Sequence, residues 1–255
     1  MQDTVKDQGA PALSPDERVV YGYLRPTNVH GDFMECLLDM VAWDRQHAGR
    51  IAGRLGFRSS ANLASGRNMI VQHFLEHSDA GWLLMLDTDM TFPPNVVDLL
   101  LASAHPENAP IVGALCFGFD ERGDVQPTLY GLEPDPEAPE DPARLLVTRY
   151  HDWQPEALVP VAGTGAAALL MHRSALEKIK ADGYSAAYPW FQELEHGGRA
   201  VGEDLGFCFR AVQSGIPIYV NTAVQVGHMK ERVLTAETFF LSRGLLAPTH
   251  PGAAV

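Results

Sequence analysis

Between Leu86 and Asp87 the chain passes within one residue from the apolar run Trp82-Leu83-Leu84-Met85-Leu86 to the acids of Asp87-Thr88-Asp89. An unbroken apolar run of this length suits a strand covered on both faces, as in the mostly parallel sheet of an α/β protein. Pro93 and Pro94 cannot continue the ladder, so the strand must end near Asp89. Asp87 and Asp89 are two apart, so extended backbone projects both carboxylates to one side at the carboxyl end of the strand, where open α/β sheets bind ligands. Two like charges this close repel unless a cation lies between them. Hard oxygen ligands suit Mg²⁺ or Mn²⁺, which in turn hold phosphate oxygens. The competing reading makes the acids local caps, Asp87 of a turn and Asp89 of the helix expected from Asn95.

With 255 residues, 46% of them hydrophobic, the chain can bury one sizeable core. One domain is expected over residues 17–243, between flexible tails at 1–16 and 244–255. No apolar run reaches the length of a membrane span, and the opening residues lack the basic-then-apolar order of a signal peptide. A cytoplasmic protein is therefore expected. Cys36, Cys116 and Cys208 are far apart, each in an apolar segment, which favours buried reduced thiols over a bridge or a zinc site. A formal charge of −13 argues against unaided binding to nucleic acid or an anionic membrane. An anionic substrate would need a metal and a few placed Arg or Lys residues.

Arg18–Leu24 reads as a first strand, Gly31–Trp43 as a helix, Gly53–Phe57 as a second strand, and the segment from Ser65 as a helix with apolar positions 69, 70, 71, 74 and 75. Arg67 and Asn68 fall in the first turn of that helix. A cation there opposes the helix dipole, which is accounted for if Arg67 faces an anion; a solvated surface Arg is the alternative. Pro110–Phe117 reads as another buried strand, and the acidic, Pro-rich stretch 131–142 as a mobile surface loop. In Gly163-Thr164-Gly165 the glycines would let backbone approach a ligand closely or simply make a tight turn. Trp190, beside Pro189, could wall a sugar, but core filling is the simpler role.

Glu203 and Asp204 start a helix whose apolar positions 205, 208, 209 and 212 follow the helical period, and Ser214-Gly215 closes it. The two acids could favour the dipole or carry chemistry. His228 and Lys230 follow a strand end, where an imidazole and an ammonium could make a third metal ligand and a phosphate contact, although a lone His is more often structural.

Taken together, Leu86-Asp87-Thr88-Asp89, Gly163-Thr164-Gly165, Gly202-Glu203-Asp204-x-x-Phe-x-x-Arg210 and Gly227-His228-x-Lys230 resemble, in this order, the GT-A nucleotide-sugar glycosyltransferases. The resemblance spans roughly residues 18–235 and extends to the small glycosyltransferases carried by actinobacterial phages, which implies a host-cytoplasmic enzyme. It implies a single GT-A-like, Rossmann-like α/β domain with flanking helices. It also implies Mn²⁺ or Mg²⁺ held by Asp87, Asp89 and His228, and a nucleotide-diphosphate-sugar donor. The donor would be contacted by Arg67, Asn68, Asp87, Thr88, Gly163, Thr164, Gly165 and Lys230. Asp204, or else Glu203, would lie beside the acceptor as general base or orienting group. Inversion would use one of them as base; retention would need neither as nucleophile. Tyr23-Leu-Arg-Pro-Thr-Asn28 departs from the Pro-x-Tyr/Phe-Asn opening of the commonest branch, so base recognition lacks its usual motif. The acceptor is left open among protein, glycan, lipid head group and modified nucleotide.

Two other classes compete. Asp87-Thr-Asp-Met-Thr91 also matches the motif of haloacid-dehalogenase-type phosphatases, with Asp87 as a phosphorylated nucleophile. That family places the motif near its amino terminus, and His228 and Lys230 would have no role. A non-catalytic nucleotide-sugar-binding module would need both acid pairs to be structural.

Overall fold

The computed structural model describes residues 13–59, 62–120, 123–137, 140, 145–231 and 243. A 3-10 turn at Pro15–Glu17 leads into β1 (Val19–Arg25), and α1 (Gly31–Gln46) returns the chain to β2 (Ile51–Arg58). Next comes α2 (Leu63–His77), whose N-cap Asn62 accepts a hydrogen bond from the Ser65 N–H at 2.8 Å. β3 (Trp82–Leu86) is buried at every residue and is followed by the short β4 (Met90–Thr91) and by α3 (Val96–Leu101). Then come β5 (Ile111–Leu115), the antiparallel pair β6 (Phe117–Phe119) and β7 (Val125–Pro127), and a second pair, β8 (Leu129–Pro134) and β9 (Leu145–Arg149). β10 (Leu158–Val161), β11 (Gly163–Thr164) and β12 (Ala168–His172) precede α4 (Arg173–Ala181). The small pair β13 (Leu194–His196) and β14 (Arg199–Val201) leads to α5 (Glu203–Gln213), β15 (Ile218–Gln225) and β16 (Gly227–His228).

Among the described residues the central sheet has seven strands in the order β10-β15-β5-β12-β3-β1-β2. Five of them, β1, β2, β3, β5 and β15, run the same way, and β10 and β12 run opposite. The central acid-bearing strand is thus buried as expected, but one of its neighbours, β12, is antiparallel to it. Alternate residues of β3 feed two cores. Trp82, Leu84 and Leu86 pack with Phe33, Leu37 and Met40 of α1 and with Val96 and Leu100 of α3. Leu83 and Met85 pack with Ile70 and Phe74 of α2, Leu176 of α4 and Phe207 of α5. Helices cover both faces, and the carboxyl ends of β1, β2, β3 and β5 lie on the same side of the sheet, the side where open α/β sheets take ligands.

Two expectations about disorder need correction. Of the tail expected over 1–16, Pro15 and Asp16 are held, because the Pro15 carbonyl accepts the Gly81 N–H at 2.7 Å and the Asp16 carboxylate meets His172 Nε2 at 3.1 Å, while residues 1–12 lie outside the described residues. The loop expected at 131–142 contributes residues 131–134 to β8, and Asp135 is buried with its Oδ1 accepting the Glu137 N–H. Residues 131–137 thus carry structure despite their acidic, Pro-rich composition. Residues 138, 139 and 141–144, and the expected tail at 244–255, lie outside the described residues. The strands before and after this excursion, β5 and β12, are neighbours in one sheet. Among the described residues no helix is long and apolar enough to cross a membrane.

α5 is pressed against the segment before it. A Cβ placed on Gly206 would lie 1.9 Å from the Gln192 carbonyl oxygen, a main-chain atom that cannot rotate away. Gly206→Ala is therefore expected to destabilise by about 1–3 kcal/mol or more, read as a lower denaturation midpoint in urea. Gly31→Ala, with nothing within 4 Å of the new Cβ, serves as control. Equal midpoints for the two variants would mean that α5 is not seated so tightly.

Candidate functional site

Three elements converge at the end of β3. Asp87 is the first residue past the strand, with its N–H donated to the Ala167 carbonyl at 3.0 Å. Arg67, one turn into α2, is 5% exposed and reaches Asp87 through one terminal nitrogen, 3.0 Å from Oδ1 and 3.2 Å from Oδ2. Its Nε lies 3.2 Å from Glu203 Oε1 at the start of α5, an ion-pair contact not aligned as a hydrogen bond. The guanidinium also packs on the Phe191 ring at 5.8 Å and on the Met85 sulfur. Arg67 does face anions, as its place in the helix suggested, but they are the protein's own carboxylates. Desolvation opposes its charge, and the fields of Asp87, Glu203 and Asp204 outweigh that, so its pKa is raised.

Asp204 is turned the other way. Its Oδ1 accepts the Leu205 N–H at 2.8 Å, and its Oδ2 lies 3.7 Å from where a Cβ on Gly165 would stand. Burial raises its pKa, Arg67 lowers it, and Glu203 raises it further, for a net upward shift that makes the carboxylate more basic. The N-cap of α5 is Gly202, so neither acid is the helix cap.

The second acid of the pair is held separately. β4 and β16 pair antiparallel, with His228 opposite Met90, and this brings His228 Nε2 to 2.9 Å from Asp89 Oδ2. Lys230 Nζ meets the same oxygen at 3.1 Å, and the Met229 N–H donates to the Asp89 carbonyl at 2.8 Å. His228 Nδ1 donates to the Phe117 carbonyl at 2.9 Å, which orients the ring and turns Nε2 into the site. Desolvation of Asp89 is overcome by the hydrogen bonds from His228 and Lys230, which hold its carboxyl well below the usual range. The hydrogen bond to Asp89 in turn raises His228 to about 10. Asp89 caps nothing: the N-cap of α3 is Asn95.

A divalent cation can be tested against these atoms. Cis ligands about 2.1 Å from a metal stand about 3 Å apart, close to the 2.9 Å between Asp89 Oδ2 and His228 Nε2. The backbone-anchored Nδ1 is the arrangement that metal-bound histidines use. The pair therefore fits a cation in exchange for the proton it shares. Asp87 does not complete the expected set of three, because Arg67 holds it. Among the described residues no three His, Cys, Asp or Glu side chains are gathered around one point. Mg²⁺ commonly needs only one or two carboxylates, the rest of its shell being water and substrate phosphate. Asp87 keeps 37% of its side-chain surface accessible, enough to meet a ligand directly.

Several expected donor contacts are not available. Asn68 uses its amide nitrogen on the Ala64 and Phe191 carbonyls at 2.6 and 2.7 Å, and its oxygen accepts the Trp190 and Phe191 N–H groups at 3.0 and 3.3 Å. All four of its hydrogen-bonding positions are filled by main chain, so it pins the Trp190–Phe191 segment instead of touching a nucleotide. Gly163 makes room for α5, since a Cβ there would lie 2.7 Å from Leu205 Cδ2. Thr164 is 1% exposed, its N–H directed at Cys208 Sγ at 3.5 Å. Only Gly165 of the three lies beside an acid, Asp204. Thr88 lies at the rim, its hydroxyl 3.5 Å from the Leu24 carbonyl. Trp190 fills core, with Nε1 donating to the Leu176 carbonyl at 2.8 Å.

Sequence reasoning missed Phe117, whose carbonyl orients His228, and the cavity beyond it. That cavity, about 260 Å³, is lined by Phe117, Phe119, Val125, Val226, His228 and Lys230. A larger one of about 480 Å³, between α2 and Ala186–Trp190, touches none of Asp87, Asp89, Glu203 and Asp204 and stands apart from the chemistry.

No protein-family model matches the chain, and no curated protein matches it in sequence. Solved structures do match in fold. The crystal structure of A197 from STIV superposes with a TM-score of 0.51 at 17% identity, covering 84% of this chain and 86% of that one. The crystal structure of GalNAc-T7 with UDP, GalNAc and Mn²⁺ gives a TM-score of 0.53 at 11% identity over 84% of this chain; the match spans 44% of the GalNAc-T7 chain. A mixed seven-stranded sheet with helices on both faces, matched to these structures, gives this chain the GT-A fold of the glycosyltransferases.

Proposed function

We propose that the protein is a metal-dependent glycosyltransferase that moves a sugar from a nucleotide-diphosphate donor to an acceptor nucleophile. The observation that carries this reading is the 2.9 Å contact between Asp89 and His228, made at the open end of β3 by residues 139 apart. GalNAc-T7, which shares the fold, was crystallised with UDP, a sugar and Mn²⁺, in keeping with the same chemistry here. When bound, Mn²⁺ or Mg²⁺ supplies positive charge to the leaving diphosphate. Asp89 and His228 would hold it. Lys230, beside them and partly exposed, meets phosphate oxygens, while Arg67 fixes Asp87 on the donor side and Glu203 on the acceptor side of one buried guanidinium. Asp204, free of Arg67's direct contact and made more basic by burial, accepts the acceptor's proton or orients the acceptor. The phosphatase reading would leave the Asp89–His228 contact without a part to play.

The test separates metal from chemistry. Mn²⁺ titration of Asp89→Ala and His228→Ala is expected to show weakened metal and nucleoside-diphosphate binding together, with the fold retained by circular dichroism. Mn²⁺ affinity unchanged in folded Asp89→Ala would overturn the metal site. A panel of nucleotide-sugars assayed for Mn²⁺-dependent release of nucleoside diphosphate identifies the donor. No release from any donor counts against a transferase.

A further inference from the structure

We infer that Arg25 and Arg58 form an oxyanion-binding fork at the carboxyl ends of β1 and β2 that takes phosphoryl oxygens of the nucleotide donor. The two are Cα partners in the last rung of the β1–β2 parallel ladder. Paired residues of neighbouring strands project to the same face, here the face shared by Tyr21, Tyr23, Arg54 and Gly56. The rung is held firmly, since the Ser59 N–H donates to the Arg25 carbonyl at 2.7 Å just beyond it. Both side chains are exposed.

Two guanidinium groups side by side on adjacent strands repel. Arg18, Arg50, Arg67 and Arg173 each meet a carboxylate, whereas among the described residues Arg25 and Arg58 do not, and neither do Arg45, Arg54, Arg149 and Arg210. This happens in a chain with 32 Asp and Glu against 19 Lys and Arg, where acidic partners are plentiful. Edge protection accounts for Arg54 and Arg58, because β2 is the outermost strand, but not for Arg25, which lies one strand in. The position supplies the missing reason. Leu24, next to Arg25, has its carbonyl 3.5 Å from the Thr88 hydroxyl, so the fork borders the Asp87–Asp89 loop. Ligands of open α/β sheets occupy this rim. Paired guanidinium forks match phosphoryl geometry, and an incoming phosphate relieves the repulsion between them.

The assignment of the phosphate to a donor rests on the glycosyltransferase reading; the oxyanion site itself does not. Metal-free calorimetry with inorganic pyrophosphate, on the full chain, tests the site alone. Arg25→Gln and Arg58→Gln are each expected to weaken pyrophosphate binding about tenfold to a hundredfold, as removal of a charge-assisted hydrogen bond does. Arg54→Gln, on the same face but four residues back from Arg58, should leave it unchanged. Unfolding midpoints should match wild type for all three exposed sites. No pyrophosphate binding by wild type, equal binding by the double variant, or an equal loss in Arg54→Gln overturns the fork. The donor arm compares nucleoside with nucleoside diphosphate in the presence of Mn²⁺. The Arg variants should lose affinity for the diphosphate only. Intact pyrophosphate binding with no turnover of any nucleotide-sugar would reject the transferase while leaving the fork standing.

Discussion

Arg67→Leu is expected to destabilise the protein by about 3–5 kcal/mol at neutral pH, the cost of removing one partner from a buried ion pair. Arg67 is 5% exposed and stands among Asp87, Glu203 and Asp204, so its loss leaves carboxylates facing one another across an apolar wall of Phe191 and Met85. Those carboxylates can relieve the repulsion by binding protons. Asp204 already has a raised pKa in the wild type, and removing the guanidinium raises it more. A carboxyl raised above its unfolded value disfavours the folded state once ionised. The penalty of Arg67→Leu should therefore be fully present above the folded pKa and shrink as pH falls toward the unfolded range near about 4. Urea unfolding at pH 8 and pH 5 measures this as a gap between variant and wild type that narrows at the lower pH. A variant as stable as wild type at pH 8 would show that the carboxylates are not held by Arg67. Arg67→Lys should recover part of the stability but not the two-sided contact, because an ammonium cannot reach Asp87 and Glu203 with separate planar donors.

Asp204→Asn should slow sugar transfer by about 10²–10⁴-fold while metal and donor bind normally, the signature of a positioned acceptor-side carboxylate. Glu203 and Asp204 are neighbours, but a helix turns about 100° per residue, and the contacts separate them. Glu203 is occupied by Arg67, whereas Asp204 faces the Gly165 side. Glu203→Gln is therefore expected to act mainly through Arg67, lowering stability and activity together, and Asp204→Asn to act on rate with little change in unfolding midpoint. Donor turnover at saturating Mn²⁺ with parallel calorimetry on the nucleoside diphosphate gives both quantities. If Glu203→Gln alone stops turnover at unchanged stability, the roles are exchanged. If both variants turn over at wild-type rate, the start of α5 is structural.

Much of this site was legible in the chain before any tertiary contact. The apolar run Trp82–Leu86 ending in two acids fixed a buried central strand and the side on which its carboxylates emerge, because strand period and burial are local properties. The period of α5 put Glu203 and Asp204 at a helix start, and Ser214-Gly215 marked its end, with Gly215 at φ +69. His228 and Lys230 were placed just past a strand for the same reason. None of this could say what lies opposite. On sequence alone Arg67 faces a ligand anion, since its carboxylate partners are 20 and 136 positions away and only the packing of α2 and α5 on one face of the sheet joins them. Asn68 and Gly163 look like ligand contacts on sequence alone, because sequence shows a polar group or a missing side chain but not what fills the space. Phe191 and Trp190 satisfy the first, and Leu205 takes up the second. The antiparallel β12 between β3 and β5, and the β4–β16 pairing that carries His228 to Asp89, are likewise choices among strand partners of similar local character. Sequence period determined which residues reach the open rim of the sheet; long-range pairing, settled by how the two cores close around β3, decided which of them touch.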